Sequence, residues 1–230
     1  MTRSNDADPV WEEKYRSGHA QRYPWDSVVS FVFRNAPRDR PRSEVSILEV
    51  GCGTGSNLWF MAREGFRAAG IDASPSAIAA AKARMEVESL QVDLRVGSFA
   101  ELPFPDASFD LAVDRGSLTC VGDSVVRQAI KELRRTLKPG GLLLFNPYSA
   151  AHGSRISGKA GEDGLTYDIK SGTMQGVGHI RFYSRQEVHD VLGHGFKILS
   201  CQHLELKDDT ASPEETHTEW RVIARRLDED

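Results

Sequence analysis

The sequence predicts an α/β fold built on a mostly parallel sheet with helices on both faces. Three observations carry this expectation. Short apolar runs alternate with helical segments from Val45 to Phe145, and repeated β-α-β units force right-handed crossovers between parallel strands. The first apolar run, Ile47-Leu48-Glu49-Val50, opens into a loop with glycine at every second position, Gly51, Gly53 and Gly55. Two β segments then follow one another near the end, 196–206 and 219–225. No helix separates them, so they pair antiparallel.

The elements fall in a simple order. Residues 1–44 read as an aromatic cap and linker, with Trp11, Tyr15, Tyr23, Trp25, Phe31 and Phe33. Asp26 is placed to cap a helix over 27–35. Two prolines, Pro37 and Pro41, forbid regular structure in the arginine-rich linker. Residues 45–230 read as one domain. Strands are expected at 46–50, 67–71, 93–96, 109–113 and 142–145. A helix to Glu64 stops at Gly65, and Ser74-Pro75 starts another, with Ser74 as cap and Pro75 at the first helical position. A long amphipathic helix covers 124–137, and Lys138-Pro139-Gly140-Gly141 reads as a turn. The stretch 147–178 is rich in Gly, Ser, His and Tyr without apolar periodicity. Irregular stretches of that length are usually functional, and it reads as an acceptor-site lid. A helix over 184–192 precedes the final β pair.

Composition narrows the function class. The chain has 230 residues, enough for one domain with a substantial core. A formal net charge of −4 gives no general attraction for nucleic acid or anionic membrane. No run of about 18 apolar residues exists to span a bilayer, and Met1–Asp8 holds no signal-peptide core. Cys52, Cys120 and Cys201 are odd in number and lack C-x-x-C spacing. That suits free thiols in a reducing cytoplasm and gives no zinc site. Carboxylates with the spacing of a magnesium cluster are also missing, so no metal is expected.

The glycine loop is the main chemical signal. Without a Cβ, its backbone comes close to a ligand, and the helix after it points unpaired N–H groups at the same spot. A dinucleotide fingerprint wants G-x-G-x-x-G, but Ser56 stands where its third glycine belongs. Asp72 closes the second strand about twenty residues further on, where a carboxylate accepts hydrogen bonds from ribose hydroxyls. An NAD(P) oxidoreductase would use the same device. Cys52 reads as a small residue filling the tight turn.

The shortened spacing Glu49-x-Gly51-x-Gly53-x-Gly55 resembles motif I of the class I S-adenosylmethionine (SAM) methyltransferases. Leu102-Pro103-Phe104-Pro105-Asp106-Ala107-Ser108-Phe109-Asp110 resembles the family's approach to strand four. Leu137-Lys138-Pro139-Gly140-Gly141 resembles its lead into strand five. In this order, over about residues 45–146, the motifs identify the chain as similar to the type 11 small-molecule group.

The resemblance implies a Rossmann-like three-layer sandwich whose seven-stranded, mostly parallel sheet ends in an antiparallel strand. It also implies SAM as cofactor and S-adenosylhomocysteine as product, with Asp72 and Ala73 beside the ribose and Ser98 and Phe99 at the adenine. Trp11-Glu12-Glu13-Lys14-Tyr15 resembles the W-x-x-x-Y opening that folds aromatics over the sulfonium, which makes Tyr15 and Trp25 candidate contacts. Asp114, with Arg115 beside it, ends strand four. There it reads as general base, as orienter of an acceptor hydroxyl, or as a seat for the methionine amino group. The family's nucleic-acid enzymes carry N/D-P-P-Y/F here, and Asp114-Arg115-Gly116-Ser117 departs from it.

His179-Ile180-Arg181-Phe182-Tyr183-Ser184 resembles the H-x-R-x-Y-S segment near the acceptor pocket. His179 is therefore the candidate base, since imidazole titrates near working pH. Tyr148, His152, Arg181 and Tyr183 are candidate acceptor contacts. With a lid this polar, the expected acceptor is a small molecule or saccharide, methylated at oxygen. Arg22-Tyr23-Pro24-Trp25 in the leader resembles bacterial enzymes that tailor surface polysaccharides or natural products. Nitrogen methylation of a small amine or amino sugar is the alternative.

Overall fold

The computed structural model describes residues 8–193, 195–210 and 215–228. Its centre is a seven-stranded sheet in the order β3-β2-β1-β4-β5-β10-β9. These strands are β1 (Ser46–Val50), β2 (Arg67–Asp72), β3 (Val92–Val96), β4 (Phe109–Asp114), β5 (Leu137–Phe145), β9 (Phe196–Asp208) and β10 (Glu215–Arg226). β1 to β5 run parallel, whereas β10 inserts antiparallel between β5 and β9. The expected fold class is therefore present.

Successive residues of β1 serve opposite faces, as strand geometry requires. Ile47 joins the core formed with α2 (Asp26–Asn35), α3 (Ser56–Arg63) and α4 (Pro75–Val87). Leu48 and Val50 join the core formed with α5 (Asp123–Thr136) and α7 (Arg185–Leu192). Strand order reverses at β1, whose neighbours β2 and β4 feed loops to opposite sides. A crevice forms at the strand ends there.

Local chemistry explains most boundaries. The Ser74 hydroxyl accepts the Ala77 N–H and starts α4. Ser184 and Glu187 form a reciprocal capping box on α7. Asp26, expected as a cap, lies inside the first turn of α2 instead, and its carboxylate pairs with Arg221. Trp25 takes the cap position, and its N–H donates to Asn57 Oδ1 at 3.0 Å.

A helix, α1 (Pro9–Arg16), appears where only an aromatic leader was read. Asp8 caps it by accepting the Val10 N–H, so Asp8-Pro9 is the start signal that sequence reading passed over. The Lys138–Gly141 turn is absorbed into β5. Pairing slips from Phe109↔Leu137 to Leu111↔Leu142, which takes up the extra residues.

The segment read as an irregular lid has structure of its own. It holds the short helix α6 (Gly153–Ile156), β6 (Lys159–Ala160) and β7 (Leu165–Tyr167), with β8 (Ile180–Arg181) closing a three-stranded sheet. Ile169, Met174, Ile180 and Phe182 form a small apolar core under it. Among the described residues no helix is long and apolar enough to cross a membrane.

Candidate active site

Glycine sets the floor of the crevice. Gly51 has φ +63°, and a Cβ there would lie 2.1 Å from the Ser117 Cβ. Gly53 has φ +51°, and its Cβ would lie 2.8 Å from the Tyr15 hydroxyl. The β1 loop therefore touches both the turn after β4 and the leader helix only because it has no side chains. Gly55 differs. Its Cβ would meet Ala81 at 3.1 Å, and it lies outside the cavity lining. Glycine there lets α3 pack closely on α4.

Two carboxylates face this floor. Asp72 Oδ2 accepts the Gly53 N–H at 2.8 Å, and Oδ1 accepts the Ser74 N–H at 2.9 Å. Burial raises its pKa, against the pull of those two bonds. Glu49 Oε1 accepts the Asn57 amide at 2.6 Å, while Oε2 is buried without a partner. Burial pushes the Glu49 carboxyl up to about 8; the Asn57 bond opposes this, and the charges of Asp114 and Asp72 add to it.

Above the floor lies a cavity of about 580 Å³, within the range of small-molecule sites. Glu49, Gly51, Cys52, Gly53, Asp72, Ala73, Phe99, Arg115, Tyr15 and Trp25 all border it. On one side α1 is clamped down. Glu12 receives hydrogen bonds from the Ser74 and Ser76 hydroxyls at the start of α4. That holds Trp11, Tyr15 and His19 together as a ring cluster, with centroids 5.8–6.1 Å apart. Opposite, the Arg115 guanidinium lies 4.1 Å from the Trp25 ring centre and donates to Glu219 at 2.9 Å. Tyr148, Thr173, Met174, Val177 and Ile180 form the roof.

Several expected site residues stand elsewhere. His179 is outside the cavity lining. Its Nε2 lies 3.0 Å from the Cys120 carbonyl and its Nδ1 3.0 Å from Asp8 Oδ2. Both ring nitrogens are taken up by these neighbours and not by the cavity. The imidazole is a strut between the cap of α1 and the loop after β4. Asp114 is fully buried; Oδ1 accepts the Leu118 N–H and the Ser117 hydroxyl. It holds the turn beside Gly51, and burial raises its pKa.

The Ser98 hydroxyl accepts the Ala100 N–H and also lies outside the lining. Arg181 is buried and paired with Asp123 at 2.6 Å and Glu187 at 3.5 Å, tying the lid to α5 and α7. Tyr183 is a core residue whose hydroxyl donates to the Leu118 carbonyl. His152 lies behind the roof, 1% exposed. Of the four candidate acceptor contacts, Tyr148 alone borders the cavity.

Three other polar residues of this region are engaged within the fold. Ser154 accepts the Met174 N–H, Ser157 accepts those of Lys170 and Ser171, and Asn146 donates to the Trp220 carbonyl. Sequence reading missed Asn57, Glu12, Thr173, His217 and Glu219. Asn57, eight residues after Glu49 on the first turns of α3, was the most accessible of these. The two β10 residues had no local signal. Among the described residues no group of three or more His, Cys, Asp or Glu is placed to hold a metal ion.

Residues 47–141 match the methyltransferase domain family. A probable S-adenosylmethionine-dependent methyltransferase of Mycolicibacterium smegmatis is 37% identical over 139 residues, 60% of this chain and 51% of that protein. A tRNA N(3)-methylcytidine methyltransferase of Schizosaccharomyces pombe is 28% identical over 217 residues, 83% of this chain and 69% of that protein. The chain spans about half the length of the first curated relatives it matches. The solved structure of a SAM-dependent methyltransferase from Methanosarcina mazei is 22% identical. It superposes with a TM-score of 0.71 over 90% of this chain and 100% of that one, a likeness of fold.

Proposed function

We propose that the protein is a class I SAM-dependent methyltransferase that methylates a hydroxyl oxygen of a small-molecule acceptor, a reading supported by the domain match over residues 47–141. The observation that carries this is a single cavity with a glycine-and-carboxylate floor and an apolar, hydroxyl-bearing roof.

The floor fits SAM in its donor set. Each Asp72 oxygen accepts one backbone N–H and keeps a lone pair for a ribose hydroxyl. The unpartnered Glu49 Oε2 is an acceptor for the cofactor's ammonium. Phe99 and Ala73 offer apolar cover to the adenine, and Trp11 and Tyr15 present ring faces that favour a cation. When bound, SAM supplies a methyl group already activated by positive sulfur. The protein's work is then to position the acceptor, exclude water and receive a proton.

The roof narrows the acceptor. Met174, Val177 and Ile180 are apolar, while Tyr148 and Thr173 supply hydroxyls. This favours an acceptor with an apolar body and at least one hydroxyl. Nitrogen methylation remains the rival at the same floor, since an amine would fit the same roof.

The test is label transfer. The protein is incubated with methyl-labelled SAM and fractionated host extract, and the acceptor atom is identified by mass spectrometry. Label on oxygen in small-metabolite material supports the proposal. Label on nitrogen, or in RNA as the named activity of the yeast relative would suggest, overturns the acceptor assignment.

A further inference from the structure

With His179 and Asp114 sealed away, the acceptor proton needs another recipient. A polar cluster behind the roof supplies one. Thr173 borders the cavity. Its hydroxyl lies 3.3 Å from both His217 Nδ1 and His152 Nε2, which are 3.2 Å from each other. The Ser154 and Ser157 hydroxyls accept the Met174 and Ser171 N–H groups and fix the backbone on either side of Thr173.

Hydrogen-bond logic fixes the tautomers. His152 Nδ1 accepts the Ser154 N–H, so the proton of a neutral His152 sits on Nε2 and points at His217. Burial drives the pKa of His152 down to about 4, helped by His217, which keeps it neutral. His217 Nδ1 is then a lone pair, and its own proton sits on Nε2, facing Glu219 Oε2 at 3.7 Å. Glu219 is 2% exposed. Burial alone would raise its pKa, but His217, Arg115 and Arg221 hold it at about 2. A fixed carboxylate therefore stands behind an imidazole whose Nδ1 lone pair faces both the His152 N–H and a cavity hydroxyl.

We infer that His217 receives the acceptor proton through the Thr173 hydroxyl, with Glu219 and His152 as positioning residues. This rests on the oxygen-methylation reading above. As the acceptor oxygen forms its bond to carbon and the carbon–sulfur pair returns to sulfur, the acceptor proton passes to Thr173 Oγ1. The proton already on Thr173 passes to His217 Nδ1, and His152 Nε2–H turns to Thr173 Oγ1. The imidazolium faces Glu219 on one side, and the Tyr148 ring stands T-shaped to it at 5.6 Å. Arg115 and Arg221 share the same carboxylate. His217 is partly exposed, so its proton leaves to water.

The experiment combines two readouts on the full chain. Nitrogen-15 spectra of the histidine rings should show Nε2–H tautomers at His152 and His217, with the His217 pattern altered in Glu219→Gln. In the label-transfer assay, His217→Ala and Thr173→Val should lose about 100-fold in rate, the range of general base catalysis. Thr173→Ser should keep most of the rate, added imidazole should restore part of it to His217→Ala, and SAM affinity by calorimetry should stay unchanged in every variant. An Nδ1–H tautomer at His217, or wild-type rate in His217→Ala, overturns the relay. Wild-type protein that transfers no label overturns the methyltransferase reading itself, and the relay with it.

Discussion

The floor and the roof of this cavity are built on different principles. The floor is backbone: glycines at fixed spacing, N–H groups, and strand-end carboxylates that accept them. The roof is side chains from distant segments that meet in space, as Thr173 meets His217 across 44 residues. A floor position is thus specified by local conformation. A roof position is specified by whatever lies opposite it.

Breaking the floor should have the largest effect. Gly51→Ala puts a Cβ into Ser117 at a left-handed φ. Overpacking and left-handed strain together should cost about 2–5 kcal/mol in urea unfolding. Gly140→Ala is the control. Its φ is +72° but nothing lies within 4 Å of its Cβ, so only strain remains, about 1–2 kcal/mol. Equal losses at the two positions would show that the contact with Ser117 is unimportant.

Asp72→Ala comes next. It removes the acceptor of two backbone N–H groups and the proposed ribose partner. SAM binding by calorimetry should weaken by about 1–3 kcal/mol. Unchanged affinity would remove Asp72 from the cofactor site.

His179→Ala sharpens the comparison from the roof side. Losing the contacts to Asp8 and Cys120 should lower stability by about 1–2 kcal/mol, with transfer rate within a few-fold of wild type. A loss of 100-fold in rate would return His179 to the role its motif suggested. The motif was visible in sequence, but the role was not, because Asp8 lies far away in sequence and Cys120 contributes only a backbone carbonyl. By contrast, the β1 loop, Asp72 and the antiparallel β10 were legible, since a strand end, a glycine spacing and a missing crossover are local facts. Thr173, His217 and Glu219 met only through folding. His217 and Glu219 alternate on one strand, and no residue near them in sequence marks them as functional.

The smallest expected effect is a proton count, and it tests how the floor meets its ligand. The folded chain holds a proton on Glu49 from the ordinary carboxyl range up to about pH 8, whereas the unfolded chain loses it near pH 4.5. In that window the folded state binds more protons, so this group lowers stability as pH rises. A ligand ammonium beside Oε2 favours the carboxylate and expels the proton. At about pH 6.5, where an α-amine is already charged, SAM binding should release a fraction of a proton. The observed enthalpy should be more exothermic in Tris than in phosphate, because Tris takes up that proton with the larger heat. The difference should vanish in Glu49→Gln. A difference that survives Glu49→Gln would assign the proton to another group and place the ammonium elsewhere on the floor.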